Sequence, residues 1–325
     1  MTVQPRSNTG PIVAILVVAA IALIAIFLLQ PRDGQPGATS SPGASASAEP
    51  SGSASPEASG SPSEEASPSA SAGGEVGELA IEARDFAFDA PAETAAGPTR
   101  VTVNNTGQEE HQAQIVRLNE GSTFEDLTAA LQGPDPTAAF ALVTFSGGPT
   151  GVVPGASVAT TVDLQPGTHA FLCFVESADG VPHLAKGMVG QLEVTGTSAG
   201  GGLPAGDAEM TLQDFAFVGL STTTPGEHTV TVTNSGPQPH EATLVKLAEG
   251  TTVEQVVGFF TATTPPSGPP PWSSAGGIAA IATDTSATME INVEAGEYAF
   301  ICFVPDPASG RPHAALGMVG GLTVQ

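Results

Sequence analysis

Apolar and polar positions alternate along much of this chain, in short runs such as RVTVNN (100–105), QAQIVRL (112–118), SVATTVDL (157–164) and HAFLCFV (169–175). A period of two is that of a strand with one buried face. Gly, Pro and Asn clusters bound the runs, as turns do. Two stretches break the alternation with helical spacing, FEDLTAAL (124–131) and VEQVVGFF (253–260). Each follows a threonine, Thr123 or Thr252, with Asp126 or Gln255 three residues on, which is the spacing of a capping box. Several short strands with one inserted helix, in about 115 residues, predict an all-β fold of the Greek-key sandwich kind.

The pattern occurs twice. DFAF at 85–88 returns at 214–217, VTVNNTG at 101–107 as VTVTNSG at 230–236, and PGTHAFLCFV at 166–175 as AGEYAFICFV at 295–304. A period near 130 residues is too long for a solenoid or propeller and marks duplication of a whole domain. The expected domains are 79–194 and 208–325, joined by a Gly-rich linker at 195–207. The second copy also carries a Pro-rich insert at 265–272, expected as a loop.

Ahead of the repeats the pattern changes character. After a short N-terminus (1–11), expected on the cytoplasmic side, residues 12–29 are uninterruptedly apolar. As a helix that run would measure roughly 27 Å, enough to cross a bilayer core. With no cleavage signature close behind it, the expectation is a retained single-pass anchor in the cell membrane, the bulk of the chain lying outside the cytoplasm. Residues 30–78 are rich in Ser, Ala, Pro and Gly and offer little to build a core, so a disordered tether is expected.

Composition narrows the partners. The net charge is −25 with only eight Lys and Arg, which disfavours nucleic acid and suits a redox partner with a basic surface. The chain has two cysteines and six histidines. Cys173 and Cys302 occupy the same place in different repeats, within apolar strands, a poor location for a bridge between domains. Each repeat also holds, in the same order, His111, Cys173, His183, Met188 and His240, Cys302, His313, Met318. The first histidines and the cysteines recur after 129 residues, the second histidines and the methionines after 130. Two imidazoles, a thiolate and a weak thioether make up a blue-copper ligand set. His169 and His228 do not recur between the copies and are expected at the surface or rim.

On these residues each copy resembles a cupredoxin domain of the plastocyanin and azurin kind. His111 and His240 follow Asn105-Thr106-Gly107 and Asn234-Ser235-Gly236, similar to the family's Asn-x-Gly turn before its first ligand. Pro182-His183 and Pro312-His313, with Met188 and Met318 beyond them, resemble the family's Pro-His and His-x4-Met spacing. The resemblance implies up to two copper ions, one per domain, and an electron carrier rather than an enzyme. No His-x-His pair of the multicopper oxidases is present. A copper scavenger or chaperone, and a metal-free binding module at the cell surface, remain open on the residues alone. One departure stands out: nine and ten residues separate each Cys from its second His, where the family keeps two to four. Turn signals at Asp179-Gly180 and Ser309-Gly310 predict small hairpins that carry the His back, at a closure cost of about 1 kcal/mol.

Overall fold

The computed structural model describes residues 76–198, 202–263 and 269–325. The apolar run 12–29 and the linker expected at 30–78 lie outside them, apart from residues 76–78. The first strand, Gly77–Arg84, opens two residues inside that expected linker. Its backbone pairs in parallel with the next long strand from Gly77–Thr99 onward, so the ladder extends past the last apolar side chain. Among the described residues, no helix is long and apolar enough to cross a membrane.

Each repeat is a sandwich of two sheets. In the first, Ala87–Asp89, Gly77–Arg84, Gly97–Asn105 and Ser157–Leu164 lie side by side in that order. The facing sheet runs Glu93–Ala95, Val189–Thr195, Gly167–Leu172, Gln114–Leu118 and Val143–Phe145. Alternation decides which face is inward: Val101 and Val103 are fully buried, while Thr102 and Asn104 between them are not. The predicted helices form at Phe124–Leu131 and Val253–Thr261, and both capping boxes close. Apolar residues Leu127 and Leu131 face inward, so the first helix covers a satellite core against Val116 and Leu172. The Pro-rich insert ends at Trp272, which opens the ten-residue strand Trp272–Ile281.

The two repeats are fused. Strand Ser157–Leu164 pairs with Thr285–Val293 of the second copy at Thr161–Thr288 and Thr160–Met289, making one eight-stranded sheet. Arg100 reaches across with a forked ion pair to Glu290, at 2.5 and 2.6 Å. A second seam joins residues 145–150 to 277–282. Gly147 N–H donates to Ala280 O (2.9 Å), and Ala279 N–H donates to Gly148 O (2.8 Å). Gly148 has φ of 112°, and a Cβ there would lie 2.1 Å from Ala113 O, so only glycine permits this approach. A single core cluster consequently contains Leu79 and Ile81 together with Val230 and Ile278.

Candidate metal centres

The candidate ligands are delivered by local chemistry that differs for each. Asn105 ends its strand buried, its Oδ1 accepting from Gly107 N–H and its Nδ2 donating to the carbonyls of Glu109 and Val152. That bridge shapes the loop and delivers His111, whose N–H binds Val152 O at 3.0 Å. Asn234 does the same before His240, through Gly236, Gln238 and Ile281. Cys173 and Cys302 directly follow the central strands Gly167–Leu172 and Gly296–Ile301, and both are free thiols.

The long loops after the cysteines fold as the small hairpins that their turn residues predict. Glu176 bridges Pro182, and Pro305 bridges Pro312. Gly180 and Gly310 supply the left-handed residues, with φ of 75° and 69°. His183 N–H then bonds Val175 O (2.8 Å), and His313 N–H bonds Val304 O (2.9 Å). The hairpins thus return each second histidine to within 3.4 Å of its cysteine sulfur. A 3-10 turn starts at each of these histidines and brings the backbone of Met188 and Met318 beside the cysteines. Cys173 N–H donates to Met188 O at 3.4 Å, and Cys302 N–H to Met318 O at 3.3 Å.

All eight residues are fully buried, and in each repeat the His, Cys and His donor atoms lie within 4.8 Å of one another. His111 and His183 face each other through Nδ1 at 3.1 Å, with Cys173 Sγ 4.0 and 3.4 Å away. The second copy repeats this at 2.9, 3.9 and 3.4 Å. Backbone N–H groups of Gln112 and Glu241 point at the two sulfurs from 3.5 Å.

An outer ring fixes the tautomers. His111 Nε2 meets Asp85 Oδ1 (3.3 Å), and His183 Nε2 meets Glu109 Oε2 (2.9 Å). His240 Nε2 meets Asp214 Oδ1 (2.6 Å), and His313 Nε2 meets Gln238 Oε1 (3.2 Å). An acceptor at Nε2 requires the proton there, which leaves the lone pair on Nδ1. In both centres two imidazole lone pairs therefore converge on each other beside a thiol sulfur, an arrangement that a shared cation satisfies. Burial keeps the donors ready for one. It holds His111 and His240 below their usual value, and His313 down to about 4, so these rings are neutral at pH 7. Burial also pushes the Cys173 thiol up to about 12 and that of Cys302 well above 9.0, so a metal must displace these protons to bind.

The two centres fit type 1 copper domains in tandem. Their donor sets support up to two copper ions, one per domain. No family model matches the sequence, and no curated protein matches it. Among solved structures, a dithionite-reduced auracyanin from the photosynthetic bacterium Roseiflexus castenholzii is 25% identical, over 36% of this chain and 94% of its own, with a TM-score of 0.26. Auracyanin B is 20% identical over 38% and 91%, with a TM-score of 0.25. A copper nitrite reductase from Nitrosomonas europaea is 16% identical over 77% and 94%, with a TM-score of 0.23. Likenesses at these TM-scores are too slight to weigh beside the geometry of the copper-type centres themselves.

Two features were not anticipated. His169, expected at the surface, is fully buried in strand Gly167–Leu172, its Nδ1 3.0 Å from Gly167 O, because alternation puts it on the same inward face as the core residues Phe171 and Cys173. His228 is at the rim, paired with Asp207 at 2.8 Å. Asp85 and Phe86, with Asp214 and Phe215, belong to the centres as well. Each aspartate meets the first His, while Phe86 and Phe215 stand edge-on to His183 and His313, with ring centroids 5.2 and 5.0 Å apart. The repeated DFAF was their signal, since 129 residues separate Asp85 from Asp214, as they do His111 from His240.

The first hairpin holds a further oddity. Glu176 Oε2 and Ser177 Oγ are buried without a hydrogen-bond partner among the described residues. Burial raises the Glu176 carboxyl from its ordinary 4.5 to about 8. Between those values the unfolded chain gives up the proton and the folded chain keeps it, so stability falls as pH rises through that window. Glu176→Gln is expected to change stability little near pH 4.5 and to add about 1–3 kcal/mol by pH 9, read from urea unfolding at several pH values. An equal effect at both ends would contradict this.

Proposed function

We propose that this chain is an electron carrier holding one copper ion in each repeat, through His111, Cys173, His183 and Met188 and through His240, Cys302, His313 and Met318. The observation that carries the reading is the pair of facing Nδ1 lone pairs beside a thiol, present in both repeats at nearly equal distances. Copper bound there supplies a one-electron couple. The protein's part is to hold the donors in place. The histidines are pinned at both ends, by backbone bonds and by the outer acceptors, so a change of oxidation state meets a rigid cage. Cys173 and Cys302 would supply a thiolate to each ion, and Met188 and Met318 a thioether.

Burial supports a carrier rather than an enzyme: with every ligand at 0% exposure, an electron can enter through the shell of side chains but a substrate has no open position. The run 12–29 and the Ser/Ala/Pro/Gly-rich segment after it extend the proposal to a membrane-tethered protein facing a basic redox partner outside the cytoplasm. Titration of the purified chain with Cu(II) is expected to give an intense thiolate-to-copper visible band, saturating near two equivalents and cycling reversibly with reductant. Slow or absent cycling would indicate a scavenger. The absence of any band would leave a metal-free binding module.

A further inference from the structure

The two centres are alike in their donors and unlike in their outer ring. When a histidine binds through Nδ1, the acceptor on its Nε2–H sets how much electron density the ring can give. In the first centre both Nε2 atoms meet carboxylates, Asp85 and Glu109. In the second, one meets Asp214, and the other meets the side-chain oxygen of Gln238. The amide cannot turn its nitrogen toward His313, because that nitrogen donates to Asp214 Oδ2 at 2.9 Å. At the same position of the two cages there is a carboxylate in one and a neutral amide in the other.

The other charged groups nearby act through space, Glu110 on Cys173, Glu241 on Cys302 and Asp306 on His313, and each is bonded elsewhere. Around the first centre, Glu110 bonds Ser274, while Lys186 is tied to Asp179 at 2.9 Å. Around the second, Glu241 accepts from Phe303 N–H, Asp306 is held by Ser309 and Gln238, and Arg311 donates to Ala315 O. Among the described residues, none of these side chains is hydrogen-bonded to a ligand imidazole. Apart from the ligands' own contacts with one another, the side chains bonded to those rings among the described residues are the four outer acceptors.

Oxidised copper carries one more positive charge than reduced copper, so a carboxylate on a ligand ring favours the oxidised state more than an amide does. We propose that Glu109 makes the first centre the lower-potential member of an unequal pair, so that an electron given to the protein settles on the second centre, beside Gln238. This rests on the copper reading above. It gives the duplication a direction, with the first repeat the better donor and the second the better acceptor.

The test uses two single-centre forms of the full chain, Cys302→Ser to keep the first centre and Cys173→Ser to keep the second. Each is loaded with copper and its midpoint measured by following the visible band against a poised mediator. The first centre is expected to lie lower by at least about tenfold in the one-electron equilibrium, or about 59 mV. Adding Glu109→Gln is expected to raise its midpoint toward that of the second centre, and Gln238→Glu to lower the second toward the first. Glu125→Gln on the exposed helix serves as the control. In the metal-free protein, Glu109→Gln should also move the His183 Nε2–H proton resonance and leave that of His111 in place. Equal or reversed midpoints, or a Glu109→Gln shift no larger than the control's, overturn the inference and leave the copper reading standing. No visible band in either single-centre form overturns both.

Discussion

Replacing Cys173 and Cys302 together by serine abolishes the thiolate-to-copper band, and each single replacement leaves about one equivalent of coloured copper instead of two. Each thiol lies 3.4 Å from the Nδ1 of its second histidine, and its side chain carries the only sulfur of the His-Cys-His group. A serine hydroxyl is a harder donor with a much higher pKa and forms no comparable bond to copper. The fold should survive the change. Serine is nearly isosteric, and the Gln112 and Glu241 N–H groups already point at the sulfurs, so a buried hydroxyl finds a donor. Loss of stability in the metal-free protein is expected to stay within about 1–2 kcal/mol. Visible absorption with metal analysis reads the first effect and thermal unfolding the second. A double variant that kept its band would rule out the proposed ligation.

Gln114→Leu is expected to cost about 2–4 kcal/mol, the largest loss of stability foreseen for a residue outside the centres. Gln114 is 2% exposed and sits where the repeats meet. Its Nε2 lies within 3.1 Å of the carbonyls of Ile115, Gly147 and Ala280, and its Oε1 accepts from Ala280 N–H at 2.8 Å. The side chain thus stands in for a missing strand, satisfying both backbone groups of a residue 166 positions away. Leucine fills similar space but leaves a buried N–H without an acceptor, and an unmade buried bond costs more than a made one contributes. Chemical denaturation checks it, and a loss below about 0.5 kcal/mol would mean that the seam does not depend on this amide.

The chain makes some of its features plain and hides others. His, Cys and Met are scarce in it, so their recurrence at one spacing stood out against the background. Alternation marked the strands because a half-buried sheet imposes a period of two. The hairpins after the cysteines were legible in Asp179-Gly180 and Ser309-Gly310, since few residues suit their backbone angles. Glu109 and Gln238 carried no such mark. Acidic and amide side chains are common on an acidic surface, and the two belong to segments that differ between copies, QEE and PQP.

The sequence by itself therefore determined the two sandwiches, the duplication, and which scarce side chains could gather around a metal, because those follow from local periodicity and from donor chemistry. Only the tertiary structure decided that the repeats share a sheet and a core, that His169 lies inside, and that the outer acceptors differ by one charge. Each of these depends on residues brought together from distant positions, as Arg100 and Glu290 are. Such pairings are selected by how sheets and loops pack, and no local pattern in either partner records them.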